Sequence, residues 1–497
     1  MVRLRSFALV TVLATVLSLL PAMSAAVTQP AVKDVQVNTT AVGGAPTDVP
    51  PADLRRMGEI PAMRGPRSKT FELSDGSFET VISAAPVHYT DERGTLREID
   101  NDLVANGRAA AGASVGWRNE ANDYAVELPA RLSGGPVRIT RRGSWVQTTL
   151  LDSADQATAT VKGSSATYAN VAKGVNATVT ALSDRVKEAL VLDGPDAERS
   201  FTYRVETSAG VVPELGDDRR VTFTADGKTV MTFTAPYMVD GSGDELDGAS
   251  DKVAVTLERD GDGWLLTMTA DDAWLDDPAR QWPVTLDPTA TWSPVHDCAI
   301  SSDAFATTNY CPNAALRVGR EGTTSVRRHR MLLDFEAAFD LNENLTHGGP
   351  VHIRAAELAL KYEDSSQPYF EANLHQITQP WDDGATWNHR VAGTVWNTPG
   401  GAHDPTEVRG STRGTQYNAS TTDGIWAAQP GWLYWYPTEL VQWFMDGRAT
   451  DYGFLIKADD ESVNQVMRFH SSEAGAANAP KLKIHGATRS ASSRRPP

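Results

Sequence analysis

Residues Val221–Pro236 read VTFTADGKTVMTFTAP, two runs of alternating apolar and hydroxyl side chains around Asp226-Gly227. Alternation with a period of two gives each run one apolar face, and Asp-Gly accepts the positive backbone angles that a two-residue hairpin demands. Lys252–Ala270 (KVAVTLERDGDGWLLTMTA) repeats the design about the turn Asp260–Gly263. Upstream, PVRITRRGSWVQTTLL, KEALVLDG and SFTYRVETS read as strands in the same way. Turn signals recur roughly every ten residues, the spacing of antiparallel sandwiches and not of strand–helix–strand units. One short segment, PTELVQWFMDG, reads as helix, with Thr438 as its cap and Gly447 as its stop. The predicted fold class is all-β.

Outward from these strands, the ends differ in character. Arg3 and Arg5 precede an apolar run, Phe7–Leu20, and PAMSAA follows with small Ser24 and Ala26. That is the layout of a cleaved signal peptide over residues 1–26, too short to span a bilayer comfortably, and it predicts an extracellular, secreted chain. Residues 27–66 are rich in Ala, Val, Pro and Thr without periodicity, and 486–497 form a basic, small-residue tail. Both are expected to be disordered, the first as a linker. Within the folded part, WPVTLDPTATW (282–292) marks a boundary: eight of the 13 tryptophans lie from Trp292 onward. Two regions result, a β-rich N-terminal domain at 67–288, long enough for one domain or two subdomains, and a second domain at 289–485.

The formal charge is −17, and loss of Arg3 and Arg5 with the signal takes it to −19. Such a chain repels phosphate backbones, which argues against nucleic acid as its partner, and an anionic ligand would need a local basic patch. The two cysteines, Cys298 and Cys311, lie close together in a chain bound for an oxidising compartment, which favours a disulfide over a metal or redox pair.

Catalytic motifs are scarce. Gly112-Ala-Ser114-Val-Gly116 fits G-x-S-x-G, but the flanking NGRAAA and WRNEANDY supply neither the strand nor the helix of a nucleophile elbow. The ten histidines form no H-x-x-H or H-E-x-x-H motif. A carboxylate pair for glycan cleavage cannot be located from sequence, and no cofactor is expected. The turn RDGDG lacks the length and terminal Glu of an EF-hand, although hard oxygen ligands are plentiful enough for a structural calcium ion. The metal content stays open, and the chain is expected to be non-enzymatic. Flat aromatic side chains stack on the apolar faces of sugar rings. Trp396 (GTVWNTPGG), Trp426 and Trp432 (GIWAAQPGW) lie in Gly/Pro-rich loops and are the glycan-binding candidates. Trp435 and Trp443, in apolar patterns, are read as core.

In 289–485 the stretches DCAISSDAFATTNYCPNAALRVGREG, RHRMLLDFE and VHIRAAELALKY resemble the opening of a DNRLRE-type domain, classed as a family-96-like carbohydrate-binding module. Asn309-Tyr310, Leu316, Val318-Gly319, Arg330, Phe335, Ile353, Ala356, Leu358 and Leu360 carry that likeness. Trp381, Thr386, Trp387, Trp443, Gly447, Tyr452, Gly453, Phe454 and Ser471 continue it. Asp451 stands where Asn is usual, and Cys311 where the family has a turn glycine, so the disulfide looks like a substitute for that turn. APVHYTDERGTLREIDNDL, ATYANVAKGVNATVTALSDRVKEALVL and WPVTLDPT resemble the β-domain that precedes such modules in actinobacterial RHS or YD-repeat surface and toxin proteins.

The resemblance implies an N-terminal β-sandwich followed by a jelly-roll β-sandwich, and a glycan- or cell-wall-associated binding protein with polysaccharide as its partner. The family's ligands include acidic polysaccharide, for which Arg317 and Arg320, with Arg327, Arg328 and Arg330, are the basic candidates. A solvated face or ion pairs to neighbouring acids is the alternative for these arginines. The competing implication is a structural scaffold of an RHS-type surface or toxin assembly with protein partners. A polysaccharide lyase or hydrolase is the weaker third.

Overall fold

The computed structural model describes residues 54–106, 116–155, 157–242, 248–292, 296–323, 326–335, 351–365, 370–404 and 431–488. The signal segment, the linker up to 53, Ser114, the acidic loop at 243–247, Trp426 and the tail beyond 488 lie outside the described residues. The protein is all-β, with strands in three large antiparallel sheets. Among the described residues no helix is long and apolar enough to cross a membrane.

The hairpin about Asp226-Gly227 forms as expected. Val221–Ala225 pairs with Lys228–Phe233, Ala225 opposite Lys228, and Asp226 and Gly227 both take positive φ, 50° and 72°. Asp260 likewise faces Gly263 across a two-residue turn. These hairpins belong to a first sandwich. Its eight-stranded sheet runs from Asp100–Asn106 to Val253–Asp260, and its second sheet holds Ala159–Lys162 through Thr289–Thr291. The alternate side chains Val175, Ala177 and Val179 point inward with Tyr168, Leu190 and Phe223, all essentially without solvent contact. The sandwich runs past residue 288, since Thr289–Thr291 pairs with Arg185–Lys187 and the Trp292 ring sits 4.5 Å from Tyr124.

The second sandwich is closed by one long strand, Val351–Ser365. Its first part pairs with Trp432–Trp435 and Lys481–Thr488, and its last part with Gln465–His470, so the strand passes from one layer into the other. Leu358, Leu360, Trp435, Phe454 and Phe469 fill the space between. Cys298 and Cys311 are disulfide-bonded and buried in a smaller cluster with Ile300, Trp387 and Trp396. The Asn309 side chain accepts the Cys311 amide at 2.8 Å, shaping the turn that a glycine was expected to occupy. Thr438–Met445 is helical with Leu440, Val441 and Phe444 inward, and Gly447 follows at φ 67°. Thr438 is not its cap: it is the first helical residue, and its hydroxyl accepts the Ala356 amide at 3.0 Å.

The start of the chain departs most from expectation. Arg56–Glu59, inside the stretch read as linker, pairs with Ser68–Leu73, which pairs with Phe78–Ser83. Phe78–Ser83 then adds to Lys481–Thr488 at the edge of the second sandwich, and Phe78, Ile82 and Ala84 enter its core beside Leu482 and Ile484. The first sandwich is therefore inserted between two parts of the second. A sheet edge presents unpaired backbone groups that any suitably alternating strand can satisfy, and such pairing leaves no local mark in the sequence.

A buried ionic cluster joins the sandwiches. Arg185, 4% exposed, donates to Asp184 at 2.7 Å and pairs with Glu473 of the second sandwich, while buried Asp297 accepts from the Ser472 amide at 2.6 Å. Burial of carboxylates is tolerated only where charge and hydrogen bonds compensate it, as here.

Candidate functional site

The sheet made by both ends of the chain carries the most distinctive surface. In Lys481–Thr488 the even positions Leu482 and Ile484 face the core, which leaves Lys481 and Lys483 on the other face. Register then sets their neighbours. Lys483 lies opposite Val81 on one side and Glu357 on the other, and Lys69 lies opposite Val81 one strand further out. Lys481 lies opposite Ser83 and Ala359, with Tyr434 beyond, and Lys361 lies opposite Trp432. Paired residues share a face of the sheet, so one outer face gathers lysines with aromatic rings. Lys69, Lys481, Lys483, Trp432 and Tyr434 line a groove of about 320 Å³, to which Arg56, Arg67 and Phe71 also contribute.

The cations sit against the rings. Lys481 Nζ is 4.9 Å from the Trp432 centroid, Lys483 Nζ 5.9 Å from Tyr434, and the Arg56 guanidinium 4.2 Å from Phe71. Two buried carboxylates hold two of these cations: Glu79 takes both ends of the Arg56 fork at 2.8 Å, and Glu357 takes Lys483 Nζ at 2.8 Å. Lys69 pairs with Glu98 at 2.9 Å, and Lys361 donates to Asn478 at 2.7 Å. Among the described residues Lys481 makes no ion pair. Burial first, and then the charges of Lys483 and Lys361, hold its ammonium below the usual lysine range. The face thus concentrates positive charge in a chain of net charge −17. It can take an extended anionic polymer whose flat apolar units lie on Trp432 and Tyr434.

Of the sequence candidates among the described residues, Trp432 alone lines this groove, half-buried. Trp396 is no loop platform. It is 3% exposed, packs beside the disulfide, and donates its indole N–H to the Thr386 carbonyl at 2.9 Å. Its Gly/Pro-rich surroundings suggested exposure, but the loop folds back over it. Trp426 lies outside the described residues. Arg317 is 3% exposed, on a strand paired with Gln465–His470, so it is not a surface cation. Arg320 is half-buried and donates to Asn464. Arg327 and Arg330 are held by Glu321 and Glu461, the ion-pair alternative. Trp435 is core, and Trp443 is partly buried against it. The residues missed, Lys69, Lys481, Lys483 and Tyr434, did have a signal: SKTFEL, KLKI and WLYW all alternate. What joins them is pairing across the whole chain.

Among the described residues no group of three or more His, Cys, Asp or Glu side chains converges as metal ligands. The first sandwich holds a gap of about 40 Å³ lined by Val146, Val186, Tyr203, Phe233 and Glu188. It has room for water and is far below the size of a ligand pocket. The Tyr203 hydroxyl donates to Glu188 at 2.8 Å, and burial pushes the Glu188 carboxyl up to about 7.

Comparison with known proteins gives partial matches. Over 281 residues, 52% of this chain, it is 28% identical to the tRNA3(Ser)-specific nuclease WapA of Bacillus spizizenii. Over 280 residues it is 28% identical to the tRNA nuclease WapA of Bacillus subtilis strain 168. In both cases the chain spans 12% of the relative's own length. The expectation of a non-enzymatic chain is overturned by these relatives, which are named for tRNA nuclease activity. The N-terminal domain of the Streptococcus gordonii adhesin Sgo0707 aligns over 87% of this chain and 91% of its own at 6% identity, with a TM-score of 0.12 that carries no argument about fold. The family whose model matches carries a different name from the one whose motifs the sequence resembles: residues 302–484, which include Trp432, Lys481 and Lys483, match the Disaggregatase related repeat domain.

Proposed function

We propose that this chain is exported and holds an anionic polysaccharide on the outer sheet face of its second sandwich. The observation that carries the reading is the gathering of Arg56, Lys69, Lys361, Lys481 and Lys483 around Trp432 and Tyr434, on a chain that is otherwise strongly acidic. Lysine ammonium groups supply charge for carboxylates, and the rings supply stacking surface for sugar C–H faces. Export is supported by Arg3 and Arg5, the Phe7–Leu20 run and the small residues that follow. Titration calorimetry of the full chain with polygalacturonate and with neutral dextran tests the proposal. The expected result is salt-sensitive binding to the acidic polymer only, weakened by Lys481→Ala and by Trp432→Ala. Equal binding to both polymers, or no effect of either substitution, refutes it.

The likeness to named tRNA nucleases favours a second reading, in which this chain is part of a tRNA-cleaving system and the same cationic face meets RNA. Cleavage of tRNA by the purified chain, or tighter binding to RNA than to the acidic glycan, would favour that reading over the first.

A further inference from the structure

The groove is built from two parts of the chain whose backbones join along one strand pair. Lys69 and Phe71 arrive on Ser68–Leu73, whereas Lys481 and Lys483 arrive on Lys481–Thr488, and Phe78–Ser83 lies between them. Across the seam the backbone ladder runs from Phe78 opposite Gly486 to Ser83 opposite Lys481. It is reinforced by the Ser77 hydroxyl on His485 at 2.8 Å and by Arg354 on Asp75 at 2.9 Å. Like charges face each other over this seam, Lys69 on one side and Lys483 on the other, with only Val81 between them in the register. Each is already paired, Lys69 with Glu98 and Lys483 with Glu357, so what an anion lying across the strands adds is a bridge between cations carried on the two sides of the seam.

We infer that a polyanion bound in the groove clamps the strands of residues 56–83 onto the second sandwich, so that ligand binding and docking of the chain's N-terminal strands form one coupled equilibrium. This rests on the polysaccharide reading of the groove. A ligand that binds only the docked form must stabilise it in proportion to its excess over Kd, and an undocked segment must weaken the ligand by the same factor. The site is then complete only when both ends of the chain are in place, with the first sandwich inserted between them.

Hydrogen exchange on the full chain, with polygalacturonate as the probe, tests the coupling. At a hundredfold excess over Kd, amides of Ser68–Leu73 and Phe78–Ser83 should slow by up to about 100-fold, while those of Ser165–Ala181 stay unchanged. A seam variant gives an independent reading. At Gly486 a Cβ would lie 2.6 Å from the Phe78 ring, so Gly486→Val must displace that ring from the core contact that seats the seam, while leaving every groove side chain present. It should weaken polymer binding about tenfold or more, with exchange in Ser165–Ala181 unaltered. Unchanged affinity in Gly486→Val, or saturating polymer that leaves exchange at 68–83 unchanged, overturns the clamp but leaves the groove as a binding site. Absence of polygalacturonate binding by the unmodified chain overturns the groove reading itself, and the clamp with it.

Discussion

The two sandwiches are built from similar strands but assembled in opposite ways. In the first, neighbours in the sheet are mostly neighbours in sequence, so hairpins such as Val221–Phe233 and Val253–Ala270 carry it. In the second, the sheet closes by contacts such as Ser77 with His485, 408 positions apart. Local assembly gave a region with a filled core and a water-sized gap, and non-local assembly gave the groove. A site built where distant strands meet can combine side chains that no single hairpin presents.

The largest effect is expected from cutting the link between the two sandwiches. Arg185→Ala leaves Asp184 and Glu473 buried without their cation and should cost about 3–5 kcal/mol. Urea unfolding should then resolve two transitions where the intact chain shows stronger coupling. Next, Trp396→Ala removes a core ring of the second sandwich and should cost about 3 kcal/mol or more. Exchange protection should fall there and hold at Val175–Ala181. Replacing both Cys298 and Cys311 by Ala frees a loop of sequence separation 13 and should cost about 3 kcal/mol, again confined to the second sandwich.

The first sandwich has its own lever. Burial raises the Glu188 carboxyl from 4.5 to about 7 in the folded chain. Between those values the folded state keeps a proton that the unfolded state releases, so stability is full below the lower value and falls as pH rises towards the upper. Glu188→Gln should remove this slope and stabilise the chain at pH 8 by on the order of 2 kcal/mol, read from thermal unfolding at pH 5 and pH 8. The smallest effect on stability is expected at Trp432, half-buried in the groove. Trp432→Ala should change the midpoint little yet weaken polymer binding about tenfold.

Particular residues show how far the sequence could be read. The Asp226-Gly227 turn, the alternating strands on either side of it and the cysteine pair were legible because each depends on near neighbours. Trp396 was misplaced because Gly and Pro mark a loop but not whether it folds back over its own aromatic ring. Arg317 was misplaced for a related reason: a basic run on a strand does not reveal which face is covered. Lys69 and Lys483 each showed an ordinary alternating strand, and nothing near either announced the other.

The all-β class, the hairpin turns, the alternation that sorts side chains to two faces, and the acidity that makes a local basic patch notable were all written in near-neighbour chemistry. Period-two patterning and turn chemistry act over a few residues, so they are written where they act. Long-range pairing alone makes residues 56–83 complete the second sandwich, lets Arg185 tie the two regions, and brings Lys69 to one groove with Lys481, Lys483 and Trp432. Strand-edge hydrogen bonds are the same for every partner, so which edges meet is settled by burial of Phe78 and Ile82 in one shared core.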